Sequence, residues 1–316
     1  MAKSKLLFIT FLFSFLLGCS DTVPADAPPY SNKIKVGVTT SIIKNWVENI
    51  GKDYIAVKSM VPSGANPHDF QPGAKDISDF IDSDIVFAIG LNYEEAWLDN
   101  ILNENPELTR IYLGDYITTI PTYTSEHDED KDHEGHDDHS LSPEDPHFWF
   151  DPLRVISLIE IITLELSKVD PDNTQYYQSE STKYIAELID LDSYALSKLK
   201  KVIDAEEGIF SDHSGLAYLS DRYGVKLFSP IVSNPHAHGE ASPTEIANAI
   251  ENIKRNNIPV IFKVEENNAR YAETIASETN AIVANKFLRI ESLKPGQSYI
   301  DFMKYNVDII VTNLIK

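Results

Sequence analysis

Three of the nine histidines in this 316-residue chain stand apart from the rest: His68 in "ANPHDFQP", His147 in "DPHFWFDP" and His213 in "FSDHSG". Each follows a strand-like run or sits in a loop, outside any helical pattern. A neutral imidazole is a good borderline ligand for Zn²⁺, at about 2.0–2.1 Å. The prolines flanking His68 and His147 restrict the backbone that carries each ring. In open parallel sheets, ligands collect beyond the carboxyl ends of the strands. If two such sheets face each other, His68 and His147 come from one side and His213 from the other. A fourth ligand from the second side would close the shell. Glu265 and Glu266 after "VIFKV" and Glu291 in "KFLRIESLKPG" are the candidates, with Glu291 preferred because it follows the last strand; water is the remaining option. Three imidazoles and one carboxylate make a tetrahedral N₃O site of net charge +1. Taken singly, each histidine is equally explained as a hydrogen-bonded loop residue, and their wide separation in sequence does not by itself make a cluster.

The elements that must position these residues alternate. "IKVGVTT", "YIAVKSMV", "DIVFAIG" and "TRIYLGD" read as strands, separated by the helical stretches "SIIKNWVENIG", "AKDISDFIDS" and "YEEAWLDNILNEN". That order predicts a parallel sheet with helices on its faces. Ser41 is the expected N-cap of the first helix and Gly51 its C-cap. After "DPLRVISLIEIITLELSKVD", a polar helical run of about thirty residues begins near Pro171, where a helix start tolerates proline. It suits a bridge between lobes. The second half repeats the pattern with strands "GIFSDH", "KLFSPIV", "PVIFKVE" and "AIVANKF" and a helix opened by the capping box Ser242-x-x-Glu245. The expected fold is α/β: two lobes, each with a four-stranded parallel sheet flanked by helices, joined by one long linking helix, with a metal site in the cleft. The expected divisions are a signal segment (1–18), a tether (19–32), an N-terminal lobe (33–170), the linking helix (171–202) and a C-terminal lobe (203–316).

At the N-terminus, "MAKSK" followed by "LLFITFLFSFLL" reads as a removable signal, its apolar run short for a membrane span. Cys19 is the single cysteine, which excludes an internal disulfide and paired-thiolate metal sites. Loss of Lys3 and Lys5 from 27 basic residues leaves 25 against 49 acids, a net charge of −24. Such a surface argues against nucleic acid and anionic lipid as partners and attracts cations.

Residues 126–139, "EHDEDKDHEGHDDH", hold eight acids, one lysine and four histidines: His127, His133, His136 and His139. With no apolar residue the segment has no core to join. It is expected to gather metal ions more weakly than a rigid site, because ordering it costs about 1–2 kcal/mol per residue. His236 and His238 in "NPHAHGEAS" form a second pair, read as loop decoration or a zinc contact. HExxH, GxSxG and P-loop patterns are all missing, so an enzyme is not expected. Asp69, Asp151 and Asp212 are near enough in sequence to orient the imidazoles, and Phe148, Trp149 and Phe150 are expected to pack the lobe interior. Metal capture is expected to release little proton near neutral pH and to weaken as imidazoles protonate.

"PSGANPHDFQP", "DPHFWFDPLRV", "FSDHSGLAYLSDRYG" and "ARYAETIASET", in that order behind the lipobox-like "LLGC", resemble the motifs of metal-binding lipoproteins of bacterial ABC importers, the ZnuA/TroA type. The resemblance covers nearly the whole chain after the signal. It implies a single ion between two lobes, ligands at His68 and His147, and a lipid on Cys19 that anchors the chain outside the cytoplasm. Histidine rather than glutamate at position 213 is the pattern of zinc-type members. The implied function is capture of Zn²⁺ and its delivery to an integral-membrane permease by a monomeric receptor. The alternatives are a Mn²⁺ or Fe²⁺ receptor on the same scaffold, a zinc hydrolase, and an adhesin. The chain departs from manganese-type members in lacking an Asp after the last strand. Glu291 matches the Glu found there in some zinc-type members.

Overall fold

A computed structural model describes residues 33–67, 70–122, 144–228, 230–231, 241–265 and 271–315. The predicted signal and tether with Cys19, the histidine-rich loop, His68, Asp69, Glu266 and the pair His236 and His238 lie outside the described residues.

The first lobe is built on strands β1 (Ile34–Val38), β2 (Ile55–Ser59), β3 (Ile85–Ala88) and β4 (Thr109–Tyr112), all parallel, in the order β2-β1-β3-β4. Every residue of β3 is buried, as expected of a central strand covered on both faces. Helices α1 (Ser41–Gly51), α2 (Ala74–Ile81) and α3 (Glu95–Leu102) fill the connections. The start of α1 differs by one residue from expectation. Thr40, in extended conformation, is the N-cap and its hydroxyl accepts from the Ile43 amide, while Ser41 is the first helical residue. Gly51 is the last helical residue and Lys52, at φ 43°, is the C-cap. The glycine serves close packing instead: a Cβ there would stand 2.2 Å from Ile55 Cδ1.

Helix α4 (Pro152–Val169) leads through a 3-10 turn at Pro171–Asn173 into α5 (Thr174–Asp204), the long linking helix. As expected of a bridge that is polar on much of its surface, α5 buries one face, where Tyr177, Tyr184, Leu188, Leu191, Ala195, Leu199 and Val202 form a stripe. That stripe packs on α1, α4 and the closing helix α9 (Tyr299–Leu314). α9 also touches α1, so both lobes share one continuous core. Phe148, Trp149 and Phe150 are fully buried in that core, Phe150 against Phe302 from α9.

In the second lobe, β5 (Gly208–Ile209) pairs with β6 (Lys226–Leu227), and β7 (Val260–Ile261) pairs with β8 (Ile282–Val283), all parallel. A parallel bridge between Ser211 and Phe262 joins the two ladders in the order β6-β5-β7-β8. The strands are shorter than the sequence pattern suggests. Along β6 the hydrogen bonds from Phe228 to Ile209 and from Ile231 to Ser211 flank Pro230, which has no amide proton to give. Helices α6 (Ala217–Tyr223), α7 (Pro243–Asn256) and α8 (Tyr271–Ser277) flank these strands. α6 ends at Gly224 in left-handed conformation, and the Ser242–Glu245 capping box opens α7. Among the described residues no helix is long and apolar enough to cross a membrane.

The two faces of α5 make a direct comparison. Leu188→Ala, at a fully buried position, should cost about 2–5 kcal/mol. Leu196→Ala, on the exposed side, should stay within about 0.5 kcal/mol of the parent. Urea unfolding followed by circular dichroism measures both.

Candidate metal centre

Beyond the Ser211–Phe262 bridge the chain carries Asp212 and His213 out of the second sheet. Asp212 Oδ1 accepts from the Val264 amide at 2.9 Å, and the Ser211 hydroxyl donates to the His213 carbonyl at 2.7 Å, so the turn is held on both sides of the imidazole. A second bridge, Val264 to Leu288, extends the sheet toward residues 288–293. That segment is pinned by the opposite lobe: Trp149 Nε1 donates to the Ile290 carbonyl at 3.0 Å, and the Leu293 amide donates to Ser41 Oγ at 2.9 Å. Glu291 lies between these two ties.

His147 enters from the first lobe, immediately before the 3-10 turn Phe148–Phe150. Its Nδ1 and its backbone amide both meet Asp145 Oδ1, at 2.7 and 2.8 Å. Its Nε2 lies 3.0 Å from Glu291 Oε1, and His213 Nε2 lies 3.3 Å from the same oxygen. One ligand atom from each of His147, His213 and Glu291 falls within 4.8 Å of the other two, and all three residues are buried. The rings of His147 and His213 stand nearly perpendicular, with centroids 6.1 Å apart. Trp149 covers His147 edge-on at 5.1 Å. Gly215, at φ 131°, allows the close approach: a Cβ there would meet Ile290 Cγ2 at 2.7 Å and the His147 ring at 3.1 Å.

Of the sequence candidates, the structure thus brings together His147, His213 and Glu291. Glu265 points elsewhere, to Arg289 at 2.7 Å and Lys294 at 2.8 Å. Burial works to raise its pKa, but these two cations hold it below the usual carboxylate range. The acid that orients His147 is Asp145, not Asp151. Asp151 caps α4 through the amides of Leu153 and Arg154 and pairs with the Arg154 guanidinium at 2.6 Å. The sequence holds a signal for Asp145, since an Asp two residues ahead of an amide is placed for an Asx turn. Tyr93, whose hydroxyl donates to Glu291 Oε2 at 3.0 Å, has no such local signal: the two are 198 positions apart.

Burial disfavours a charged His147, yet Glu291 and Asp145 outweigh it and raise the ring to about 10. The two carboxylates, at Nδ1 and Nε2, thus favour the protonated form of the ring. A ring so raised is expected to give up a proton if it ligates, which differs from the sequence-based expectation of little proton release. Calorimetry at pH 7.5 in buffers of differing ionisation enthalpy should show close to one proton released per ion from this residue. Since the bound proton competes below a pKa of about 10, apparent affinity should fall roughly tenfold per pH unit on acidification, about 100-fold from pH 7.5 to 5.5 through His147 alone.

A protein-family model described as "ZnuA: Zinc-uptake complex component A periplasmic" matches residues 36–313. The chain is 29% identical to the manganese ABC transporter substrate-binding lipoprotein PsaA of Streptococcus mitis, over the full length of both. It is 28% identical to the high-affinity zinc uptake system protein ZnuA of Bacillus subtilis, covering 99% of this chain and 98% of the relative. An iron ABC transporter substrate-binding lipoprotein, MtsA of Streptococcus pyogenes, is 29% identical over 99% of both chains. Among solved structures, a Mn-bound periplasmic metal-binding protein from candidatus liberibacter asiaticus superposes with a TM-score of 0.76 at 23% identity, over 90% of this chain and all of that one. A zinc-bound ZnuA deletion mutant gives 0.73 at 23% identity, over 89% and 98%.

Proposed function

We infer that zinc is the cargo of this chain, which belongs to the family of zinc-uptake complex component A, the substrate-binding proteins of metal ABC importers. Members bind a divalent metal ion and work with an ABC permease; they are not enzymes. The carrying observation for zinc is the donor set. Two buried imidazoles and one carboxylate oxygen converge within 4.8 Å, a mixture that suits Zn²⁺ better than the oxygen-rich shells of Mn²⁺. His68 is the third imidazole of this reading. In support, the loop just before it comes against the second lobe, where a Cβ on Gly64 would lie 3.9 Å from Pro295. The four ligands are then His68, His147, His213 and Glu291.

In this reading residues 1–18 are removed, Cys19 carries the lipid, and 19–32 tether a monomeric receptor to the outer face of a membrane. The lipoprotein relatives support the anchor. His127, His133, His136 and His139 gather zinc at low affinity ahead of the buried site.

Competition titration tests the metal. At pH 7.5 a 100-fold excess of Mn²⁺ should leave bound Zn²⁺ in place; displacement would make manganese the cargo. His147→Ala should lower zinc affinity by several orders of magnitude, whereas deletion of 126–139 should leave the tightest site nearly unchanged. Loss of tight binding on loop deletion would reverse the two roles.

A further inference from the structure

The loop after β3 is built with unusual constraint. Gly90, Leu91 and Asn92 all have positive φ, at 78°, 55° and 62°. A left-handed leucine is costly and persists only where its surroundings over-determine it. Here the buried carboxyl of Glu94 does so. It accepts from the Ile89 amide at 2.6 Å, the Gly90 amide at 3.0 Å and the Thr39 hydroxyl at 2.7 Å, tying the loop to the end of β1. What the loop presents is Tyr93, buried, with its ring edge-on to His147 at 6.3 Å and to Trp149 at 5.5 Å. Its hydroxyl reaches across the lobes to Glu291 Oε2 at 3.0 Å, while both imidazole Nε2 atoms face the other oxygen, Oε1.

We propose that Tyr93 is a specificity-determining residue: by engaging Glu291 Oε2 it holds the carboxylate to one-oxygen coordination through Oε1, favouring a four-coordinate ion over one that takes both oxygens. This rests on the zinc reading above and deepens it. The physical ground is that Mn²⁺ prefers six or so oxygen-rich ligands and gains from a bidentate carboxylate, whereas Zn²⁺ is satisfied by a tetrahedral set. A chelating Glu291 would have to rotate Oε2 toward the ion and give up the phenol. The same bond makes binding depend on the two lobes being together, since donor and acceptor belong to opposite halves. Tyr93 touches no metal in this arrangement; it acts through the ligand it positions.

Tyr93→Phe removes the hydroxyl and keeps the ring that packs on Trp149, so the fold should survive, as an unchanged circular dichroism spectrum would register. Zn²⁺ and Mn²⁺ affinities are measured for parent and variant by competition with a chromogenic chelator. X-ray absorption at 0.5 equivalents of zinc, in the full chain, reads the coordination number. The expected result is a fall of about 10–100-fold in zinc affinity, a smaller change or a gain for manganese, and a zinc shell that grows from four toward five ligands. Parallel losses for both metals, or a selectivity ratio and zinc shell unchanged, would overturn the proposal. A parent chain that prefers manganese would overturn the zinc reading instead, and the ratio of variant to parent would still decide the role of Tyr93. If Tyr93→Phe unfolds, Thr39→Val, which loosens the loop through Glu94 without touching Tyr93, replaces it with the same readouts; an unchanged ratio there overturns the proposal.

Discussion

A carboxylate buried between two imidazoles is the constraint around which this structure is organised. Removing an anion such as Glu291 from water is expensive unless charge and hydrogen bonds compensate it. Here the compensation comes from both lobes at once. His147 and Tyr93 supply it from the first, His213 from the second, and the segment that carries Glu291 is itself tied to Trp149 and Ser41. His147, Tyr93, Trp149 and Ser41 come from the opposite lobe, so these bonds exist only while the two halves are packed together.

Further ties reinforce that packing. Tyr299 at the head of α9 donates its amide to the Asn45 side-chain oxygen and its hydroxyl to the Trp149 carbonyl. Its ring stands edge-on to Trp46 at 5.4 Å. On the other side of the molecule, Arg154 of α4 reaches Asp221 of α6 at 2.9 Å, and Arg222 holds Asp192 of α5 through two hydrogen bonds. Tyr218 adds a hydrogen bond to the Asp145 carbonyl, so the acid that orients His147 is itself positioned from the second lobe. A linking helix buried along one face, with α9 laid beside it, limits how freely the lobes can swing.

Two acids frame the His147 ring, one at each nitrogen. Asp145 Oδ1 lies 2.7 Å from Nδ1 and Glu291 Oε1 lies 3.0 Å from Nε2, and together they raise the ring against the effect of burial. In the zinc reading proposed above, Asp145 at Nδ1 would aim the ring while Nε2 is left for the ion.

Much of this was legible in the residues themselves. Apolar runs marked β1 to β4 because buried parallel strands need them, Gly224 marked the end of α6 through its left-handed backbone, and Ser242 with Glu245 marked the start of α7. The three lone histidines and Glu291 could be named as candidates because loop histidines beside prolines, and an acid after a last strand, are local features. Local pattern did not reach the rest. Whether Thr40 or Ser41 caps α1 depends on one backbone dihedral, and whether Asp145 or Asp151 serves His147 depends on which one α4 takes as its cap. The sequence preferred Glu291, but that Glu265 is engaged by Arg289 and Lys294 emerged only from the packing, as did Tyr93. Sequence alone determined the order of elements and the kinds of donor, since both follow from side-chain chemistry over a few residues. Which donors meet was decided by tertiary packing, because contacts between residues 93, 147, 213 and 291 come from chain segments joined by no local periodicity.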